Sequence, residues 1–359
     1  MGPALRAGGL SLSLDHTPGM TAVRLDCDRA VPGPRSLARD GARWRITLPP
    51  AGLDRLEYRF EVTWGHRVAR ILDPGNPRIV PGVFGPRSLA LRPGYEPPSF
   101  VRAPDGGTFD PFPVPGRGAV SIPVTVWSPE GLPADTPAPL LLVNDGPEYA
   151  QYAALTRFAA QHCRAGTLPA HRLALLHPER RDDWYSGSPD YLDTVTGALL
   201  DTLTQRYAVR HPIAVMGASL GGLTALLIAQ AEARGAGRIG AVFAQSGSFF
   251  TGTSDAQERA YRYFPRIAAY VDVVSRLPAG PVPLRVSMTC GALEENVTNN
   301  RAMADLLSRA GHTLSYREVR DLHNYSAWRD RLEPGLVDLL RETWRGGFAA
   351  KPARRTAAH

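Results

Sequence analysis

The chain has 359 residues, 43% hydrophobic and 21% charged, with a formal net charge of +7, enough length for two domains and a full core. The positive charge is almost all arginine, with Lys351 the one lysine, and it is scattered among acids. No basic helix carries interleaved aromatics, which speaks against nucleic-acid binding, and no apolar run approaches the roughly 18 residues of a membrane span.

Met1 to Leu14 holds one arginine and a short mixed run, without the continuous apolar core of a signal peptide. Cys27, Cys163 and Cys290 are too few and too far apart for a disulfide framework or a metal site, so a soluble, cytoplasmic protein is expected. The 35 glycines and 33 prolines are concentrated in the first 150 residues and imply short strands and many turns there. Ala22 to Asp26, Trp44 to Leu48 and Leu56 to Trp64 alternate apolar and polar, the pattern of antiparallel strands with one face on a core. Asp40-Gly41, Pro49-Pro50 and Asp73-Pro-Gly-Asn-Pro77 mark turns between them. A small β-sandwich over residues 1–100 is predicted, followed by a Pro- and Gly-rich linker over 101–118.

The pattern then changes. Val120 to Trp127 reads as an edge strand. Pro139 to Val143 is wholly apolar, as a buried parallel strand would be. Ala150 to Cys163 reads as a helix, Leu173 to Leu176 as a strand, and Tyr191 to Tyr207 as a helix with one apolar stripe. Strands at Gly240 to Gln245, Leu284 to Met288 and Leu314 to Val319 alternate with helices at Asn300 to Ala310 and Pro334 to Thr343. The fold class is therefore α/β: a mostly parallel sheet with helices on both faces over residues 119–348, with ligands expected at the carboxyl ends of its strands. Residues 349–359 read as a disordered basic tail.

Within this half, Ile213-Ala-Val-Met-Gly-Ala-Ser-Leu-Gly-Gly222 carries an apolar run into G-x-S-x-G, with the helix-forming run Leu223 to Ala231 directly after it. That is the strand, sharp turn and helix of a nucleophile elbow. Ser219 would stand exposed on the turn, small neighbours would relieve the crowding, and the N–H of Leu220 would face a developing oxyanion.

An activated serine needs a base, and the base needs an orienting acid. Three histidines follow Ser219. His359 ends the tail, and His312 lies at the amino end of a strand, the wrong edge of the sheet. His323 follows Val319, where catalytic loops gather. For the acid, Glu294 is favoured over Glu295, with Asp321 a further alternative beside the histidine. A second oxyanion donor is sought in Asn144-Asp-Gly-Pro-Glu148, at Gly146; an ordinary Asp-Gly turn would look the same. Arg180, Arg181, Trp184 and Tyr185 follow the strand at Leu173, and charge with stacking would let them hold an anionic aromatic ligand. The alternative is an exposed ion-pair loop with Trp184 tucked beneath it.

Taken together these residues resemble the enterochelin esterase group of α/β-hydrolases, relatives of esterase D. The likeness rests on Leu56 to Phe60, Asp73 to Pro77 and Tyr95 to Pro98 in the first part. In the second part it rests on Asp145-Gly146, Arg181 with Tyr185-Ser186, Gly217 to Gly222, Gly291 to Glu294, and His323 with Trp328-Arg329. The resemblance implies an α/β-hydrolase fold behind an immunoglobulin-like β-sandwich domain, with Ser219 as nucleophile, His323 as base and Glu294 as acid. It also implies hydrolysis of ester bonds, in the name-giving members those of a ferric catecholate trilactone. Arg181, Trp184, Tyr185 and Trp328 are expected to contact a small-molecule ester substrate, with no cofactor or metal. Two departures stand out. Asp321-Leu322 precede the histidine where the family often has two glycines. Pro147 has no N–H to give the oxyanion, so Gly146 or Glu148 must supply it. Two further readings remain on the same fold: an acyltransferase of the mycolyltransferase type, and a non-catalytic binding protein.

Overall fold

The computed structural model describes residues 2–253, 255–274 and 283–345, so the predicted tail at 349–359 lies outside the described residues. The first strands are β1 (Leu10–Asp15), β2 (Met20–Cys27), β3 (Ala38–Asp40), β4 (Arg43–Leu48), β5 (Arg55–Trp64), β6 (Arg67–Ile71), β7 (Ile79–Val80) and β8 (Arg87–Leu91). In β1 and β4 every second residue is buried, as the alternation of side chains across a pleated strand requires. Among the described residues they form one antiparallel sheet, β1-β4-β3, and another, β2-β5-β8-β7, with β6 paired to β5. Leu10, Leu12 and Leu14 from the first join Leu25, Leu56, Tyr58 and Phe60 from the second in a single apolar cluster.

The second part is built on β9 (Thr108–Pro115), β10 (Ser121–Ser128), β11 (Ala138–Val143), β12 (Arg172–Leu176), β13 (Val209–Ala218), β14 (Ile239–Gln245), β15 (Arg285–Gly291) and β16 (Thr313–Val319). Among the described residues these make one sheet in the order β16-β15-β14-β13-β11-β12-β10-β9. The six strands from β16 to β12 are parallel; β10 and β9 are antiparallel. Two expectations are corrected here. The stretch read as a linker contains β9, which is a strand of this sheet, and β9 rather than β10 forms the edge. Pro111, Pro113 and Pro115 occupy alternate positions of β9, so their missing N–H groups all lie on one side, and an edge strand has one side to spare.

The helices are α1 (Gly146–Tyr152), α2 (Leu155–Arg164), α3 (Arg181–Tyr185), α4 (Pro189–Thr194), α5 (Leu200–Arg206), α6 (Leu220–Ala233), α7 (Phe264–Val274), α8 (Val297–Arg309), α9 (Tyr325–Asp330) and α10 (Gly335–Arg345). The predicted helix at 150–163 is two short helices, broken where Ala154 takes a left-handed φ of 52°. The one predicted at 191–207 runs α4 to α5 through a wider π turn at Val195–Leu199. Alternate strand residues feed two layers. Leu140, Leu142, Ile213 and Val215 pack with α4 to α8, whereas Leu141, Val143, Ala214 and Met216 pack with α1, α2 and α10. No helix among the described residues is long and apolar enough to cross a membrane.

The two parts meet at the loop after β16. Leu322 of that loop is buried in the apolar cluster of the first part. Alternation along β5 puts Leu56 and Tyr58 into that cluster and turns Arg55 the other way. Arg55 is buried, with its Nη2 2.7 Å from Asp321 Oδ1 and its Nη1 bonded to Asp330. Arg331 holds the other Asp321 oxygen at 2.6 Å and reaches Asp54 at 3.0 Å. Burial pushes the Asp321 carboxyl up, and the two guanidiniums pull against it. Removing one partner of such a cluster strands buried charge. Arg55→Met is therefore expected to cost about 3–5 kcal/mol in a urea titration, and Arg43→Met, whose partner Asp15 is exposed, less than about 1 kcal/mol. Equal losses at the two positions would deny the buried cluster its structural weight.

Candidate active site

The turns after β11, β13 and β14 lie side by side at the carboxyl edge of the sheet. Asp145, Ser219 and Ser246, one from each, all have positive φ (53°, 56° and 48°). Such backbone is costly for residues with a Cβ and persists where packing enforces it. Ser219 sits between β13 and α6, with φ 56° and ψ −125°. Its flanking glycines are needed for contact: a Cβ on Gly217 would stand 2.3 Å from the carbonyl oxygen of Gly221. Leu220 opens α6, so its N–H has no acceptor within the helix. The Ser219 hydroxyl is partly exposed and bonds the Ser248 hydroxyl at 3.3 Å; among the described residues no hydrogen bond joins it to an imidazole.

The carboxyl side of the expected relay is well defined. His323 Nδ1 lies 2.8 Å from Glu294 Oε2. With Nδ1–H donating to the carboxylate, Nε2 is left as the basic nitrogen. The other oxygen of Glu294 accepts from Ser246 Oγ and from the Gly291 N–H, each at 2.8 Å. Trp328 Nε1 donates to Ser246 Oγ at 3.1 Å, and its ring meets His323 edge to face at 5.0 Å. A Cβ on Gly291 would collide with the Asp321 carbonyl oxygen and with Glu294, so glycine there lets the acid and histidine loops touch. Burial alone would push the His323 pKa down. The hydrogen bond and charge of Glu294, with Asp28 and Glu295, outweigh it, and the imidazole ends above its ordinary value. Ser246 and Asp28 were not among the sequence candidates, and Gly291 entered only as part of the stretch Gly291 to Glu294. Ser246 carries one local signal, its place at the end of a buried strand.

The other candidates fall into three groups. Glu295 is exposed, and Asp321 is spent on Arg55 and Arg331, so neither meets the ring. His312 accepts from the Leu284 N–H at the far edge of the sheet. Trp184 and Tyr185 are corrected as substrate contacts: both are buried in the core, with Trp184 stacked on Tyr191 at 5.1 Å. Tyr185 acts from beneath, its hydroxyl accepting the Asp145 N–H at 2.9 Å. Arg181 does reach the surface of the site, with its Nε and Nη2 held by Asp145 at 2.8 and 2.7 Å. Gly146 packs so closely on β12 that a Cβ would lie 2.4 Å from the Leu175 Cα.

Ser219, His323, Trp328, Tyr325, Arg181 and Glu148 line one cavity of about 690 Å³. The first part of the chain supplies its opposite wall, with Asp28, Glu57, Arg87 and the turn 81–85. At the rim Val83 and Phe84 stand exposed.

Residues 119–339 match the family model named Esterase. Among solved structures, the chain is similar to the enterochelin esterase of Shigella flexneri, with 19% identity over 96% of each chain and a TM-score of 0.74. It is also similar to the ferric enterobactin esterase of Salmonella typhimurium, with 20% identity over 95% of this chain and 96% of that one and a TM-score of 0.75. A Shigella flexneri structure determined in the presence of enterobactin matches with 20% identity over 96% of each chain and a TM-score of 0.74. At these identities the likeness shows a common fold, of α/β-hydrolase type. No curated protein matches the sequence at a significant level.

The geometry fixes the sign of one titration. With Glu294 neutralised, burial is left to act on the imidazolium, so Glu294→Gln is expected to lower the His323 midpoint in an NMR titration of the ring nitrogens. An unmoved midpoint would mean that the 2.8 Å contact is not made in solution.

Proposed function

The chain belongs to the Esterase family and is a carboxylic ester hydrolase, and from that premise we propose that it works through Ser219, His323 and Glu294. His323 Nε2 takes the proton of Ser219 as Oγ attacks the ester carbonyl. The Leu220 N–H and a second donor near Gly146 hold the oxyanion, and Glu294 holds the imidazolium. His323 then returns the proton to the departing alcohol, leaving an acyl-serine. Water, deprotonated by the same ring, attacks the acyl carbon, and the acid and free Ser219 are released. The observation that carries this reading is the 2.8 Å bond between His323 and Glu294 in a cavity that also holds Ser219 on a strained turn. In the resting geometry the serine hydroxyl bonds Ser248, a contact it must leave to meet the ring.

Residues 1–100 are read as an immunoglobulin-like sandwich domain that closes the cavity, and 119–348 as the catalytic domain, the last of these residues lying outside those described. The substrate is a small-molecule ester, and a siderophore lactone is the class supported by the relative determined in the presence of enterobactin.

A fluorophosphonate probe is expected to label Ser219, and Ser219→Ala to abolish both labelling and hydrolysis. Product analysis by mass spectrometry, with several ferric siderophores and simple esters offered, identifies the bond cut. Glu294→Gln is expected to lower kcat by roughly 10³–10⁴ and to move the acid limb of kcat/KM to lower pH, because the neutral ring is then retained further down the pH scale. Turnover that survives Ser219→Ala would sink this mechanism.

A further inference from the structure

The hydrogen bonds behind the acid form a directed path, an inference that rests on the Ser219, His323 and Glu294 reading. Trp328 stands at its start. An indole N–H can only donate, and this one is spent on Ser246 Oγ at 3.1 Å. A serine hydroxyl has one proton. With its oxygen accepting from Trp328, the Ser246 proton is turned to Glu294 Oε1, 2.8 Å away. The Cys290 thiol also bears on this hydroxyl, but a thiol is a weak partner beside a carboxylate. Glu294 Oε1 takes a second donor, the Gly291 N–H, and Oε2 is left to His323 Nδ1 at 2.8 Å.

Both links of the path are held from behind. Ser246 is buried, and its left-handed φ of 48° is enforced from two directions. Its N–H bonds the Thr289 carbonyl at 2.7 Å, and its own carbonyl accepts from Asn296 Nδ2 at 3.2 Å. Asn300 grips the next residue twice, with Oδ1 on the Gly247 N–H at 3.1 Å and Nδ2 on the Gly247 carbonyl at 2.8 Å. Backbone strain of this kind persists where the surroundings fix it, and here it aims a hydroxyl. Trp328 is held as firmly. One residue separates His323 from α9, and it caps that helix: Asn324 Oδ1 accepts the Ala327 N–H at 2.9 Å. Gln245, the neighbour of Ser246, donates Nε2 to the Trp328 carbonyl at 3.0 Å. The indole ring lies edge to face with His323 at 5.0 Å and with Tyr325 at 4.8 Å.

We infer that Ser246 and Trp328 are positioning residues of the proposed hydrolysis: the indole sets the hydroxyl, the hydroxyl sets the Glu294 carboxylate, and the carboxylate presents its other oxygen to His323. Trp328 thereby serves both members of one pair, its N–H behind the acid and its ring against the base. It lines the cavity, but its single polar hydrogen is committed to Ser246 and not to a substrate. A carboxylate free to rotate would meet the imidazole in several geometries, and few of them would leave the ring aimed at the serine.

The test removes each link and reads the histidine directly. Ser246→Ala takes away the hydroxyl. Trp328→benzothienylalanine keeps the fused rings and puts sulfur in place of the N–H. Hydrolysis of p-nitrophenyl butyrate is followed, together with the low-field proton NMR resonance of His323 Nδ1–H. Each variant is expected to lower kcat about tenfold with KM held within about twofold, because misaimed groups slow the chemical step more than binding. The Nδ1–H resonance is expected to move upfield in both. The double variant is expected to lose no more than Ser246→Ala, since the indole acts through that hydroxyl. If the ester is not cleaved, the rate of Ser219 labelling by a fluorophosphonate is read in place of kcat. If Ser246→Ala does not fold, the Trp328 isostere, which fills the same space, decides. A lowered urea midpoint with kcat and the resonance unmoved would reduce both residues to packing and overturn the inference. So would a raised KM at unchanged kcat in the Trp328 variant, the mark of a substrate contact, or losses that add in the double variant. Hydrolysis persisting in Ser219→Ala would instead remove the reading beneath it.

Discussion

The histidine of the proposed relay is held in place by charge supplied from the other end of the chain. Arg55, on strand β5 in the first part of the chain, is buried against Asp321 and Asp330, which flank His323 in sequence. Arg331 and Asp54 complete the cluster, and Leu322 is anchored in the apolar cluster of the first strands. A guanidinium buried this deeply is tolerable because several carboxylate oxygens surround it, and the same geometry resists any slide of the histidine loop. Asp321 and Leu322, the two residues before the histidine, thus have a physical use. They pin its loop to the first part of the chain.

Strain is concentrated at the site. Asp145, Ser219 and Ser246 hold left-handed backbone at three neighbouring strand ends, and each is fixed by hydrogen bonds. Asp145 donates its N–H to the Tyr185 hydroxyl and accepts Arg181 on its carboxylate. The Ser219 N–H bonds the Gln245 carbonyl at 2.9 Å, and the Ser246 N–H bonds that of Thr289 at 2.7 Å. The sheet therefore carries Ser219, the support of Glu294 and the floor of the cavity on one edge, and the first part of the chain supplies the opposing wall.

Net charge proved a poor guide to the cavity. Forty-one basic residues make the chain cationic as a whole, yet the cavity that holds Ser219 is lined by Asp28, Glu57, Asp145, Glu148 and Asp182 as well as by Arg87 and Arg181. The protein's overall field and the local charge on the cavity wall are separate effects, because salt screens the first far more than contacts made inside the cavity.

Local chemistry was enough to read the elbow at Ser219, the alternation of the core strands and the loop position of His323, since each depends on neighbours a few residues apart. Glu294 was legible for the same reason, as a carboxylate at the end of a buried strand. The facing of Trp184 was not, because α3 is five residues long and too short for a periodicity to declare which side is inward. Nor was β9, whose prolines signal a linker until an edge position gives them a place. The partners of Glu294, the fate of Arg181 and the acidic wall join residues far apart in sequence, from Asp28 to Trp328. No pattern along the chain records such pairings; they exist once the two parts of the chain have packed and burial has decided which charges find a counter-charge.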